Sequence, residues 1–301
     1  MSLNKDLQTV IDGVEKESGF SFAKHTTYGC GGVAKEAYYP KTIEQAAAVY
    51  DYIKLTKKNF VTLGNGSNVL AADGGFDGVV IATKFFQGIE QKSADSILCY
   101  AGTTAQQILK YCKTHGLGGL EYIVGIPATC GGLVYMNGGA GGMYISNNVK
   151  SVLIYDGEFK TLTNKSCQFG NKHSIMRDID CMILAAEFSL APKSAEDIEW
   201  DIEYYLSKRR MQPKGKSCGC VFKNTSEVSA GKLIDDLGLK GLSRGSAAVS
   251  SEHANFILNS GTCSSDVYAL IKEVKSKVLE KTGILLEEEV VYIGDFNDSF
   301  G

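Results

Sequence analysis

Apolar and polar residues along the chain switch repeatedly between a helical and a strand-like period. From Ile43 to Ile53, apolar side chains with Ala46, Ala47, Val49 and Tyr50 between them recur at helical spacing. Asn59-Phe-Val-Thr-Leu63 and Gly78-Val-Val-Ile-Ala82 are short apolar runs bounded by turn residues, which predicts strands. Ile97–Tyr100, Val149–Tyr155 and Met182–Leu190 predict further strands. Thr104 to His115 predicts a helix stopped at Gly116. After Ala191-Pro-Lys-Ser-Ala195 the composition becomes charged, and Ala195–Met211 predicts a helix ending in Lys208-Arg-Arg210. In Ser265–Lys281, Val267, Leu270, Ile271, Val274 and Val278 share one helical face. Ser264, Ser265 and Asp266 offer N-cap chemistry and Gly283 a stop. Glu289–Ile293 predicts a last strand. Short strands with glycine turns point to α+β layers, not a doubly wound sheet.

Two turns carry candidate chemistry. Val61-Thr-Leu-Gly-Asn-Gly-Ser-Asn-Val-Leu70 is a β-type run that breaks into a polar, glycine-rich turn, and Gly125-Ile-Pro-Ala-Thr-Cys-Gly-Gly132 is a second. Such turns offer backbone N–H groups to an anion such as a pyrophosphate. The pair predicts an extended phosphate-bearing cofactor gripped from two sides, although strand-to-helix turns of this kind also occur without a ligand. Neither matches the common nucleotide fingerprints: the first lacks the third glycine of G-x-G-x-x-G, and no G-x-x-x-x-G-K-[ST] occurs.

Composition narrows the class. The 301 residues are 44% hydrophobic and 22% charged, which supports two or three packed domains. With a net charge of -3 and no Lys/Arg run, nucleic acid is not an expected partner. No apolar run is long enough for a membrane span, and the N-terminus carries no signal-like segment, so a cytoplasmic protein is expected. Nine scattered cysteines fit reduced thiols rather than a disulfide framework. Cys218-Gly-Cys220 has no second ligand pair at zinc spacing, and the four histidines are dispersed, so no metal is expected.

A run of motifs carries a more specific signal. His25-Thr-Thr-Tyr-Gly-Cys-Gly-Gly32, Leu63-Gly-Asn-Gly-Ser-Asn68, Gly116-Leu-Gly-Gly-Leu-Glu-Tyr122, Gly125-Ile-Pro127 and Met136-Asn137 come in the order found in the UDP-N-acetylenolpyruvylglucosamine reductase family. So do Gln212-Pro213, Phe222-Lys-Asn224, Ala230-Gly-Lys-Leu-Ile-Asp235, Gly238-Leu-Lys-Gly241, Val249-Ser250, His253-Ala-Asn-Phe-Ile257 and Leu286-Glu-Glu-Glu-Val290. The chain resembles the shorter of that family's two types.

The resemblance implies an α+β protein with a two-part FAD-binding module of the vanillyl-alcohol-oxidase type, at residues 1–85 and 86–192, and an α+β substrate domain at 193–301. It implies non-covalent FAD, NADPH as reductant, and UDP-N-acetylglucosamine enolpyruvate as the substrate reduced to UDP-N-acetylmuramate for peptidoglycan; a monomer is the expected state. It assigns the FAD pyrophosphate and ribityl chain to Gly64, Asn65, Gly66, Ser67, Asn68, Gly125, Pro127, Thr129 and Gly132, with Asn137 and Gly138 nearby. Lys223 and Asn224 fall to the substrate.

Reducing an enol ether conjugated to a carboxylate requires hydride at one carbon, stabilisation of the enolate and a proton at the other carbon. The family's proton donor is a serine, and its position here is Cys220. A thiol with a pKa of about 8.5 stays mostly protonated at neutral pH and is a stronger acid than a hydroxyl. A small buried cysteine is the competing reading for Cys220, and the one adopted for Cys218. Register selects Glu289 as the acidic residue that assists, with Glu288 standing where the family has proline. The family's Tyr-Arg pair becomes Asn171 and Lys172, so Lys172 keeps the charge but not the bidentate fork. Gly141 replaces an aromatic residue, and Thr225 a proline. These departures leave open a same-fold FAD enzyme acting on another acceptor, or a slow paralogue that binds flavin or a UDP-sugar.

Overall fold

The helical stripes do become helices, and their ends are set by local chemistry. In the computed structural model, which describes residues 5–210, 212–225 and 227–296, the first predicted helix is Ile43–Leu55. Its Thr42 hydroxyl caps the Gln45 N–H, and Ala46, Val49, Tyr50 and Ile53 are buried. Ala105–His115 opens with a capping box between Thr104 and Gln107 and closes on Gly116 in the left-handed region. Ala195–Arg209 ends at a basic turn; Met211, its expected last residue, lies outside the described residues.

The helix Ser264–Thr282 corrects one expectation. Its N-cap is Cys263, with no side-chain cap of its own. The cap comes from a distant loop: the carboxylate of Asp73 accepts the N–H groups of Ser264 at 2.7 Å and Ser265 at 2.9 Å. Local sequence marked the right place but supplied the wrong acceptor, because a carboxylate beside two orphan N–H groups and the positive helix end is a better acceptor than a hydroxyl. Val267, Leu270, Ile271, Val274 and Val278 are buried as the pattern predicted.

The chain folds into two units. The first comprises residues 1–17, 37–65 and 79–210; the second comprises 18–36, 66–78 and 211–301. Unit 1 holds a five-stranded antiparallel sheet in the order Phe159–Thr163, Val149–Tyr155, Met182–Ser189, Ser96–Tyr100, Ile89–Ser93. The central strand Met182–Ser189 is almost wholly buried, which accounts for its nearly unbroken apolar run. Phe60–Leu63 lies parallel to Phe76–Ala82, with Phe60 opposite Val79 and Leu63 opposite Ala82. One core joins Ile53, Ile81, Ile97, Ile108, Val152, Leu184 and Phe188.

Unit 2 has a three-stranded sheet, Ser243–Arg244, Ala247–Val249 and Ile257–Asn259, and its own core of Tyr28, Leu70, Phe222, Leu270, Ile271 and Val274. A parallel pair, Val69–Ala71 with Val291–Ile293, ties the chain's last described strand to the segment after the first glycine turn. Mixed helices and short strands make this an α+β protein, as expected. Among the described residues no helix is long and apolar enough to cross a membrane.

Candidate active site

The two glycine turns meet within unit 1 at their first halves. Leu63 ends a strand, and a Cβ on Gly64 would stand 2.4 Å from the Thr129 hydroxyl, an approach only glycine permits. Asn65 donates its side-chain N–H to the Pro127 carbonyl at 3.3 Å. Arg209, at the end of its helix, donates to the Gly125 carbonyl at 3.2 Å. The turn therefore has a neighbour in the charged helix Ala195–Arg209.

Four N–H groups of the second turn are engaged within the protein. Cys130 N–H goes to the Thr103 carbonyl at 2.7 Å, Gly131 N–H to Ala101 at 2.9 Å, and Ile126 N–H to Ile123 at 3.1 Å. Gly132 N–H is taken by the Thr129 hydroxyl, which caps the short helix Cys130–Tyr135. Ala101, Thr103 and Ile123 are buried, their carbonyls need donors, and those donors come from the turn. Gly125 and Pro127 remain exposed.

Asn137 and Gly138 act as scaffold. The buried Asn137 amide donates to the Gly170 carbonyl at 2.8 Å and accepts the Ser146 N–H at 3.2 Å. Gly138 donates to Leu133 and accepts from Ile145. Asn137 thereby holds the turn that carries Lys172. Gly170 and His173 close this turn with reciprocal backbone bonds, and Lys172 adopts a left-handed φ of 54°. The Arg177 guanidinium donates to the Lys172 carbonyl at 2.6 Å and lies over the Tyr135 ring. It clamps the Lys172 backbone from outside.

Gly141, where the family carries an aromatic residue, has φ 64°, and the Tyr205 ring lies 3.3 Å from where its Cβ would be. An aromatic ring is thus present at this corner of unit 1, delivered by the helix Ala195–Arg209. The Tyr205 hydroxyl is shifted upward in pKa, first by burial and then by Asp201.

In unit 2, the other half of the first turn (Gly66, Ser67, Asn68) leads into Val69–Ala71. Gly66 receives the Thr27 N–H at 3.1 Å. Cys220 and Glu289 lie on adjacent segments. Glu289 donates its N–H to the Val221 carbonyl at 2.7 Å, and Phe222 bridges Glu288. Asn255 holds the segment after Cys220 from the other side. Its buried side chain accepts the Phe222 N–H at 2.9 Å and donates to the Phe222 carbonyl at 2.8 Å, while its own carbonyl accepts from Val221. Nothing in the local pattern of His253-Ala-Asn-Phe-Ile257 indicated this clamp. His253 is structural, its Nδ1 accepting the Asn255 N–H at 3.2 Å; burial, the main influence, lowers its pKa.

Charge in this strand is sorted by lysines. Lys223 pairs with Glu287 at 3.1 Å, and Glu288 pairs with Lys275 at 2.9 Å and Lys272 at 3.5 Å. Asn224 caps the next helix by accepting the Ala230 N–H at 3.1 Å. Both residues assigned to substrate by resemblance therefore have contacts inside the protein. Cys218 is buried, its thiol donating to the Tyr28 hydroxyl at 3.4 Å, and burial pushes its pKa up to about 12. Cys220 is half-buried, and all nine cysteines are thiols. Among the described residues no group of His, Cys, Asp and Glu is arranged to hold a metal ion.

Residues 34–163 match a family described as an FAD binding domain. The glycine turns with their small-residue surface fit that cofactor, and the chain is an FAD-dependent oxidoreductase. Residues 212–293 match a second family, the C-terminal domain of UDP-N-acetylenolpyruvoylglucosamine reductase. The enzyme of that name from Prochlorococcus marinus is 36% identical over 94% of this chain and 100% of its own length. That of Chlamydia felis is 37% identical over 90% and 92%. The crystal structure of the Thermus caldophilus enzyme, 33% identical, superposes with a TM-score of 0.79, covering 93% of this chain and 99% of that one. The chain belongs to the UDP-N-acetylenolpyruvoylglucosamine reductase family.

Proposed function

We propose that the chain reduces UDP-N-acetylglucosamine enolpyruvate to UDP-N-acetylmuramate with NADPH, and that Cys220, Glu289 and Lys172 carry the protein's share of the chemistry. Bound FAD supplies the hydride chemistry. The Cys220 thiol holds the proton delivered to the substrate carbon, and Glu289 assists formation and collapse of the enolate. Lys172 contributes the positive charge that stabilises the developing enolate, as a point charge rather than a planar fork. Gly64 to Ser67 and Gly125 to Gly132 line the cofactor, and Lys223 and Asn224 bear on the substrate. The first 192 residues serve FAD, as parts 1–85 and 86–192, and 193–301 serve the substrate.

The observation that carries this reading is the backbone ladder in unit 2. The Glu289 N–H to Val221 carbonyl bond, at 2.7 Å, fixes a carboxylate-bearing residue beside the residue that follows Cys220. A thiol and a carboxylate on adjoining segments are what proton delivery to a conjugated acid requires. NADPH and UDP-sugars are multiply charged and do not cross membranes unaided, which supports a cytoplasmic site of action, and the chain works as a monomer.

Stopped-flow reoxidation of the reduced flavin by the UDP-sugar tests the reading in Cys220→Ser and Cys220→Ala. The serine variant is expected to keep measurable turnover and the alanine variant to lose it. Equal, near-wild-type rates in both would remove Cys220 from the mechanism.

A further inference from the structure

Asn68 belongs by sequence to the cofactor turn, yet its side chain is engaged elsewhere. Its amide donates to the main-chain carbonyl of Glu289 at 3.0 Å, across 221 positions of sequence. Its own carbonyl accepts the Val291 N–H at 3.0 Å. Directly beyond, Val69 pairs with Val291, Leu70 with Tyr292 and Ala71 with Ile293. Asn68 thus brackets Glu289 from one side, while Val221 brackets it from the other through the 2.7 Å bond from the Glu289 N–H. The flanking carboxylates are drawn to lysines, Glu287 to Lys223 and Glu288 to Lys275. Both backbone polar groups of Glu289 are therefore fixed, and its neighbours' charges are neutralised.

We propose that Asn68 is a positioning residue for Glu289: its amide acts in the reduction of the substrate, through the carboxylate it orients, and not in holding the FAD pyrophosphate. The inference deepens the assignment of Glu289 above and rests on it. The physical reason is geometric. A side-chain carboxylate inherits the position of its Cα, and the Asn68 bond is one of the two that pin the Glu289 peptide. A displacement of about 1 Å at a reacting group can cost about a hundredfold in rate. Within unit 2 the same contact joins the end of the turn, Gly66–Asn68, to the segment that carries Glu289.

The test uses the FAD-loaded enzyme under anaerobic conditions and measures both half-reactions in Asn68→Ala, Asn68→Asp, Glu289→Gln and the Asn68→Ala/Glu289→Gln pair. Asn68→Asp keeps the shape of the side chain and removes its amide donor, which guards against loss of packing. Both Asn68 variants are expected to slow reoxidation by saturating UDP-sugar by about tenfold or more. Flavin reduction by NADPH and the FAD dissociation constant should move by less than about threefold. The double variant should lose much less than the product of the single losses, since both act through one carboxylate. Equal losses in the two half-reactions, or weakened FAD binding, would make Asn68 a cofactor ligand and overturn the inference; so would full additivity. If Glu289→Gln slows reoxidation and the Asn68 variants do not, only the inference fails. If Glu289→Gln is itself silent, the assignment of Glu289 fails and takes the inference with it.

Discussion

The second glycine turn and the segment that carries Glu289 solve the same problem, placing a functional group accurately, by different means. At Gly125–Gly132 the backbone is locked into its own fold: the N–H groups of Ile126, Cys130 and Gly131 go to nearby carbonyls. At Cys220–Phe222 and Glu289 the backbone is held by side chains that come from far away, Asn255 from one loop and Asn68 from another. The first device depends on small residues and on bonds from one stretch of backbone to another, at Ile123, Thr103 and Ala101, with little help from side chains. The second depends on single amide groups, each able to fail alone. The departures from the family pattern at Asn171, Lys172, Cys220 and Glu288 all lie outside the first device.

The largest effect should come from the group that carries the proton. Cys220→Ala is expected to slow flavin reoxidation by about a hundredfold or more, the usual scale for losing a positioned acid, while NADPH reduction of the flavin stays near wild type. Parallel loss of both half-reactions would mean that the cysteine shapes the cofactor site instead. Next in size is Asn255→Ala, which strips two bonds from a buried strand. A loss of about 2–4 kcal/mol in urea unfolding is expected, because the Phe222 N–H and carbonyl are left without these partners. A change below about 0.5 kcal/mol would show that the clamp is dispensable and blur the contrast between the two devices.

Lys172→Arg tests the departure in unit 1. It should raise the reoxidation rate several-fold, about 1 kcal/mol of transition-state stabilisation, if the bidentate fork suits the enolate better than a point charge. A fall in rate would indicate that the turn held by Asn137 and Arg177 is shaped for lysine. Asp73→Ala probes a side-chain device with no catalytic part. Loss of this cap should cost about 1 kcal/mol. Burial alone would raise the Asp73 pKa, but the hydrogen bonds from Ser265 and Ser264 outweigh it and bring it to about 2. The folded value lies below the unfolded one of about 3.9, so the stabilisation is complete above the unfolded value and disappears as pH falls through about 2. The melting difference between Asp73→Ala and wild type should accordingly be full at neutral pH and close in strong acid. The smallest effect concerns alkylation of the native enzyme at pH 8. Cys218 and Cys130, buried and each raised to about 12 by that burial, should stay unmodified while the half-buried Cys220 and Cys263 react.

The local part of this molecule was legible in its sequence. Ile43–Leu55 and Ser264–Thr282 appear where apolar side chains repeat at helical spacing, because burying one face dominates the energetics of a surface helix. The α+β class followed from short strands and glycine turns, and Gly64, with its close approach to Thr129, sits where a tight turn was read. What stayed hidden were partners remote in sequence. Asp73 caps a helix nearly two hundred residues later, and Asn255 and Asn68 hold Phe222 and Glu289. Polar side chains of this kind show no periodicity, and their partners are backbone groups common to every residue. Tyr205 beside Gly141 was hidden for a related reason: a ring missing from one segment is present from another, and no single window contains both. The bonds from Cys130 and Gly131 to Thr103 and Ala101 were hidden as well, since the glycines that marked the turn do not reveal where its N–H groups go.

The most direct test of the account is a single-turnover experiment on the wild-type enzyme. The bound FAD is reduced with one equivalent of NADPH under anaerobic conditions, and the flavin absorbance is followed after mixing with UDP-N-acetylglucosamine enolpyruvate. The account predicts prompt reoxidation with stoichiometric UDP-N-acetylmuramate, and a reoxidation phase that nearly vanishes in Cys220→Ala although that variant is reduced normally. A reduced flavin that persists in the presence of saturating UDP-sugar, and that other acceptors reoxidise, would contradict it.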